Sequence, residues 1–195
     1  MNLNQPWNIV FLIGFIIYVG IRHKFSVLTK DNEKTFSRID TLEKILLFIV
    51  LLGNILLPAI YLLSRLLAFA DYALPRFVPW IGSVIMVVSL WLFRRSHTDL
   101  GKNWSISLEM RKDHQLIRNG VYRLIRHPMY ASIWLFTIAQ ALLLQNWIAG
   151  PSAVVTFAPL YFLRTPREEQ MMREAFGKEY EDYIRQTGRV FPRLK

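Results

Sequence analysis

Long apolar runs alternate along the chain with short polar, mostly basic segments. Residues 7–21 form the first run, with no Lys or Arg before it and Arg22-His23-Lys24 after it. Residues 45–63 form a second, nineteen residues without a charge, about the length a helix needs to cross the hydrocarbon core (roughly 20 residues). Pro58 lies inside this run. Neighbouring helices re-satisfy a carbonyl freed within a membrane helix, so a kink is expected there rather than a break. Residues 77–93 form a third run, stopped by Arg94-Arg95. Residues 130–144 and 147–163 are the fourth and fifth, separated by Gln145-Asn146. The pattern predicts an all-α integral membrane protein, a single domain over residues 1–195 with five transmembrane helices. Polar segments follow at 94–128 and 164–195, and the last two spans form an antiparallel helical hairpin.

Charge gives this arrangement a direction. The 24 Lys and Arg are distributed as none before the first span, six in 22–44, two in 64–76, eight in 94–128, none in 145–146 and eight in 164–195. With five spans, 22 of the 24 fall on one side, which the positive-inside rule makes cytoplasmic, with the amino terminus outside. The order of charges around the first run is the reverse of a cleaved signal peptide, so a retained span is expected. A net charge of +10 would also suit nucleic acid. Here the charges sit between apolar runs rather than along one face or arm, so the lipid bilayer is the expected partner and nucleic acid is not. Cysteine is absent, which excludes disulfides, thiolate metal sites and a cysteine nucleophile. The four histidines, His23, His97, His114 and His127, show no metal-ligand spacing, so no metal is expected.

Both large polar segments therefore flank the hairpin at its cytoplasmic ends. Closing it brings His127-Pro128 and residues 164–169 to one membrane depth. Within the first segment, Trp104, Ile106, Leu108 and Met110 alternate with polar residues, an extended pattern. Asn119-Gly120 predicts a tight two-residue turn. Pro128 suits the first turn of the fourth span, with His127 at its cap. In the tail, residues 167–185 predict a helix, weakened by Gly177.

The sequence Gly120-Val121-Tyr122-x-x-x-Arg126-His127-Pro128-x-Tyr130 resembles the signature of the isoprenylcysteine carboxyl methyltransferase family. So does the succession that follows it: an apolar hairpin, Arg164, Glu168-Glu169, then Phe176-Gly177-Lys178-Glu179-Tyr180-x-x-Tyr183. The resemblance covers roughly residues 97–195. It implies a membrane methyltransferase taking its methyl group from S-adenosylmethionine, bound in a cytosol-facing pocket, with a lipophilic acceptor entering from the bilayer. Carried onto this chain, the cofactor contacts are His114, Gln115, Leu116, Ile117, Tyr122, His127, Pro128, Met129, Tyr130 and Glu168. Arg164 faces the acceptor. Arg164, Glu168 and Arg126 are the candidate catalytic residues. Eukaryotic members commonly have more than five spans, which makes this chain a minimal version.

The chemistry agrees. Methyl transfer from a sulfonium is an in-line displacement that requires alignment and exclusion of water. A carboxylate acceptor, with a reference pKa of ~3.5, is already ionised and needs only orientation, for which the guanidinium fork of Arg is suited. The expected acceptor is such a carboxylate, as in a prenylated cysteine. An amine acceptor, as in phospholipid N-methyltransferases, would need a base, and Glu168 or Glu169 would serve. The sequence has no G-x-G, so a Rossmann site is not expected. Two readings of other kinds stand beside these: a membrane sterol-type reductase and a non-enzymatic lipid-binding protein. Each candidate also has a structural reading. These are a helix cap for His127, interface aromatics for Tyr122 and Tyr130, a positive-inside charge for Arg126, a stop-transfer charge for Arg164, and acids at a helix start for Glu168 and Glu169.

Overall fold

The computed structural model describes residues 5–28, 40–101 and 115–193, with the backbone alone at 34–37 and 109–111. The helices are α1 (Pro6–Leu28), α2 (Thr41–Leu51), α3 (Leu57–Leu63), α4 (Val78–Leu100), α5 (Pro128–Leu143), α6 (Ser152–Phe176) and α7 (Lys178–Gln186). Two short strands, β1 (Lys34–Ser37) and β2 (Glu109–Arg111), pair antiparallel. The all-α expectation thus holds apart from this ribbon. The alternating pattern over 104–110 reaches it only at its end, and the rest of that segment, like His114, lies outside the described residues.

Among the described residues, three helical stretches are long and apolar enough to cross a membrane: Pro6–Leu28, Thr41–Leu63 and Val78–Leu100. The expected fourth span corresponds to α5, apolar but only 16 residues long, about 24 Å at 1.5 Å per residue against a core of about 30 Å. The expected fifth span begins later than the sequence suggested, at Ser152, because residues 147–151 are used to turn the chain. Asn146 builds that turn. Its Oδ1 accepts from the amides of Ile148 (3.0 Å) and Ala149 (2.9 Å), and its Nδ2 donates to Leu67 O (2.7 Å) and Asp71 Oδ1 (2.8 Å).

Phe77, Trp80, Val84, Val87 and Trp91 form an exposed apolar stripe down α4 at helical spacing. Its opposite face is lined by Gly82, Ser89 and Ser96, small residues that let α5 approach closely, as in membrane bundles. Ser89 Oγ donates to Ser132 O (2.8 Å) across that seam. Phe11 of α1 is buried beside Phe136 of α5 and Met86 of α4. Exposed Ile, Val and Phe side chains recur on α1, α2 and α6, the apolar girdle that a bilayer would cover.

The kink expected at Pro58 takes the form of a π-turn over Leu52–Leu56 that joins α2 to α3 without a break. The Leu57 amide reaches back to Leu52 O. In that register the carbonyl of Gly53 would face residue 58, a proline without an N–H. Gln140 Nε2 (3.2 Å) and Ser152 Oγ (2.7 Å) donate to Gly53 O instead. The freed carbonyl is thus satisfied from α5 and α6, and the same bonds tie α2 to the hairpin.

Candidate active site

The polar segment enters the bundle through a 3₁₀ turn over Gly120–Arg123. Asn119 is extended and Gly120 has φ +56°. The two-residue hairpin turn expected here, which needs positive φ at both positions, is therefore not what forms. Asp99, at the end of α4, decides the geometry: its Oδ2 accepts from the Val121 amide (2.9 Å). A Cβ at residue 120 would collide with that carboxylate. Tyr122 points inward, its hydroxyl 3.4 Å from Ser96 O, and its own carbonyl accepts from Tyr183 of α7 (2.6 Å). Burial pushes both phenols above their ordinary value, so they remain neutral donors.

The carboxyl-terminal segment pairs with the residues that lead into α5. The amides of Arg126 and His127 donate to Gly188 O and Arg189 O, each at 2.9 Å. Pro128 is at the start of α5, as expected, but His127 caps nothing with its side chain. Its ring instead lies between two carboxylates, with Nε2 3.3 Å from Glu169 Oε1 and Nδ1 3.6 Å from Glu168 Oε2.

Those carboxylates are not at a helix start. The fifth span and the first part of the tail are one continuous helix, α6, so Glu168 and Glu169 project from its middle, and the break falls at Gly177, with φ +50°. Glu169 is buried and faces two guanidinium groups and an imidazole. Arg126 Nε and Nη2 approach Oε1 at 3.2 Å, Arg189 Nη2 approaches Oε2 at 2.6 Å, and His127 completes the set. Burial alone would raise this carboxyl. The hydrogen bonds from His127 and Arg189 and the charge of Arg126 outweigh it and hold the group well below the usual carboxylate range. Arg126 also donates to the carbonyls of Ile184 and Thr187, which ties the α5 entrance to the tail.

Glu168 forms a second cluster. Its Oε1 accepts from the Tyr130 hydroxyl (2.7 Å) and from Arg164 Nε (3.1 Å). Arg164 Nη1 in turn lies 3.3 Å from Glu43 Oε1 on α2, with both side chains almost wholly buried. Glu43 was missed in the sequence because it precedes the uncharged run and reads as an ordinary acid in a helix's first turn. The signal available was its spacing from Asp40, which caps α2 by accepting from the Glu43 amide (2.8 Å).

A cavity of about 660 Å³ opens between these elements. Of the expected cofactor residues it is lined by Gln115, Leu116, Ile117, Tyr122, His127, Met129, Tyr130 and Glu168. Pro128 is buried at the helix start behind that lining. Arg126 and Arg164 also reach the wall. Beside these the lining includes the apolar side chains Phe15, Leu47, Val50, Ile133, Phe136 and Phe157, carried by α1, α2, α5 and α6. No cluster of three or more metal-ligating side chains occurs among the described residues.

Comparison with known proteins points in one direction. Residues 80–174 match the isoprenylcysteine carboxyl methyltransferase (ICMT) family. A probable protein-S-isoprenylcysteine O-methyltransferase of Oryza sativa subsp. indica is 26% identical over 132 residues, 67% of this chain and 69% of that protein. The protein-S-isoprenylcysteine O-methyltransferase of Homo sapiens is 28% identical over 123 residues, 60% of this chain and 43% of that protein. The solved structure of the eukaryotic intramembrane Ras methyltransferase ICMT superposes with a TM-score of 0.60 at 22% identity, covering 97% of this chain and 69% of that one. The fold is therefore shared almost from end to end, and the matched residues include the signature segment, Arg164 and both glutamates of α6. Over residues 80–174 this chain is thus similar to the isoprenylcysteine carboxyl methyltransferase family, and it shares the fold of the solved member.

Proposed function

We propose that the chain is an integral membrane enzyme that transfers a methyl group from S-adenosylmethionine to the carboxylate of a lipophilic acceptor, a prenylated cysteine or a close analogue. The observation that carries this reading is the Tyr130–Glu168–Arg164 chain of contacts, which lines one cavity together with apolar side chains of α1, α2, α5 and α6. A soluble, charged donor and a water-insoluble acceptor need a site of that kind.

The residues present suit the donor. Leu116, Ile117, Met129, Tyr122 and Tyr130 offer apolar and aromatic surface for a flat heterocycle. Glu168, with its carboxylate partly exposed in the cavity wall, offers an acceptor for an ammonium or ribose hydroxyl. S-adenosylmethionine, when bound, supplies an electrophilic methyl group that an ionised carboxylate accepts without losing a proton. The work left to the chain is positioning and drying. Arg164 orients the acceptor carboxylate, and Glu168 and Tyr130 hold Arg164 against rotation. Arg126 acts as a positioning residue, because its hydrogen bonds join Glu169 to the carbonyls of the tail. The apolar wall takes the acceptor's chain.

In the membrane arrangement that goes with this reading, α5 and the first half of α6 complete a five-span bundle. The amino terminus is outside, and the cofactor segment and carboxyl terminus are cytoplasmic, which puts 22 of the 24 Lys and Arg on the cytoplasmic side. The whole chain acts as one domain. Calorimetric titration of the purified protein with S-adenosylhomocysteine tests the reading. Saturable binding is expected, and absence of binding at millimolar ligand would overturn it.

A further inference from the structure

Of the three arginines that line the cavity, two are matched by acids of the chain itself. Arg164 meets Glu43 and Glu168, Arg126 meets Glu169, and His127 lies between Glu168 and Glu169. Arg22 of α1 is different. It is half-buried, it lines the same cavity together with His23 and Ser26, and among the described residues no carboxylate lies within ion-pair distance of it. Its depth in the bundle is fixed by its neighbours. Phe25, less than one turn further along, packs against His97 with ring centroids 5.0 Å apart, and Tyr122 reaches Ser96 beside that histidine. Arg22 therefore stands on the α1 side of the chamber at the level of the signature tyrosine.

Phe15, Tyr18 and Val19 of the same helix make the chamber wall next to it apolar. A guanidinium partly removed from water without a counter-ion is costly, and an anion that enters the chamber relieves the cost. The planar fork favours a carboxylate, which it can hold through two parallel hydrogen bonds. Ser26, one turn on and on the same face, adds a hydroxyl donor. Arg164 shares its charge between Glu43 and Glu168, so a second guanidinium in the same cavity adds to its hold on a ligand carboxylate.

We propose that Arg22 binds the carboxylate of a ligand in this cavity. Building on the methyl-transfer reading, that carboxylate belongs either to the amino-acid end of the donor or to the acceptor, and the two sources are separable by experiment. The full-length Arg22→Gln and Arg22→Lys proteins would be titrated with S-adenosylhomocysteine and with methylthioadenosine, which lacks the amino-acid group. The KM for a prenylated cysteine acid would be measured alongside. If the donor carboxylate is the ligand, Arg22→Gln weakens S-adenosylhomocysteine binding about tenfold to a hundredfold, the loss of a hydrogen bond to a charged group. Arg22→Lys recovers part of it, and methylthioadenosine binds as before. If the acceptor carboxylate is the ligand, S-adenosylhomocysteine binding is unchanged and the acceptor KM rises by a similar factor. Either result supports the assignment. It is overturned if both quantities match wild type in Arg22→Gln. A wild-type protein that fails to bind S-adenosylhomocysteine would instead overturn the methyl-transfer reading. Should Arg22→Gln fold poorly, Arg22→Lys carries the test, since it keeps the charge but loses the fork.

Discussion

The hydroxyl of Tyr130 donates to Glu168 Oε1 across 2.7 Å, joining the first turn of α5 to the middle of α6. The same oxygen accepts from Arg164 Nε at 3.1 Å. One carboxylate oxygen thus fixes both an aromatic ring and a guanidinium of the cavity wall. Tyr130→Phe keeps the ring and removes only the donor. The expected outcome is a fall in kcat of about tenfold to a hundredfold, since hydrogen bonds to charged groups contribute about 1.5–3 kcal/mol, with S-adenosylhomocysteine binding reduced less. Steady-state kinetics beside calorimetry check this, and wild-type turnover would remove the tyrosine from the alignment of Arg164.

Glu43 supports Arg164 from a different helix, 3.3 Å from Nη1 and almost wholly buried. Removing one partner of a buried pair leaves the other uncompensated, although Glu168 still faces Arg164 here. Glu43→Ala is therefore expected to lower stability by about 1–3 kcal/mol and to depress turnover, while Glu43→Gln, which keeps a hydrogen-bond acceptor, recovers much of the stability. Thermal unfolding in detergent with parallel rates distinguishes the two, and equal behaviour of Ala and Gln would show that the contact contributes little.

Much of this was legible in the sequence, and the misses have physical causes. The apolar runs are visible because a spanning helix must be long and uncharged. The hairpin follows from two polar residues, Gln145 and Asn146, between two such runs. The meeting of His127 with residues 168–169 follows from the hairpin alone, and the structure brings them within 3.3 to 3.6 Å. The continuity of α6 past Arg164 was hidden because its hydrophobic pattern changes where the environment changes, although the backbone does not. The turn at Asn119-Gly120 was misread because Asp99, twenty-two residues from Val121 in sequence, selects a 3₁₀ turn. The other partners of Glu169 were hidden for a similar reason: Arg126 and Arg189 come together on it only after folding.

Glu169 links stability to pH. Its carboxyl is held below the usual range in the folded chain, whereas the unfolded value is about 4.3. Its contribution is therefore complete above that unfolded value and is lost progressively as pH falls below it. Glu169→Gln removes the pH-dependent part and leaves Arg126 buried without its counter-ion, a loss of about 3–5 kcal/mol. Melting temperatures between pH 7 and pH 3 are expected to fall more steeply for wild type than for Glu169→Gln. Parallel curves would contradict the assignment.

Gly120 is required by geometry rather than chemistry. With φ at +56° and the Asp99 carboxylate where a Cβ would stand, Gly120→Ala must displace Asp99 or distort the turn. Strain at such a position costs of order 1–3 kcal/mol, and the displaced turn carries Tyr122. Weaker S-adenosylhomocysteine binding is expected, out of proportion to the change in melting temperature. Unchanged affinity would separate the turn from the cofactor site.

Transfer of a methyl group to a lipophilic carboxylate is open to one direct measurement. The purified full-length protein would be incubated with methyl-labelled S-adenosylmethionine and a prenylated cysteine bearing a free carboxylate, and the extracted product treated with mild base. Label is expected in the lipid phase, released by base as volatile methanol, with none formed by Arg164→Ala. Absence of transfer, or label that base does not release, would contradict it.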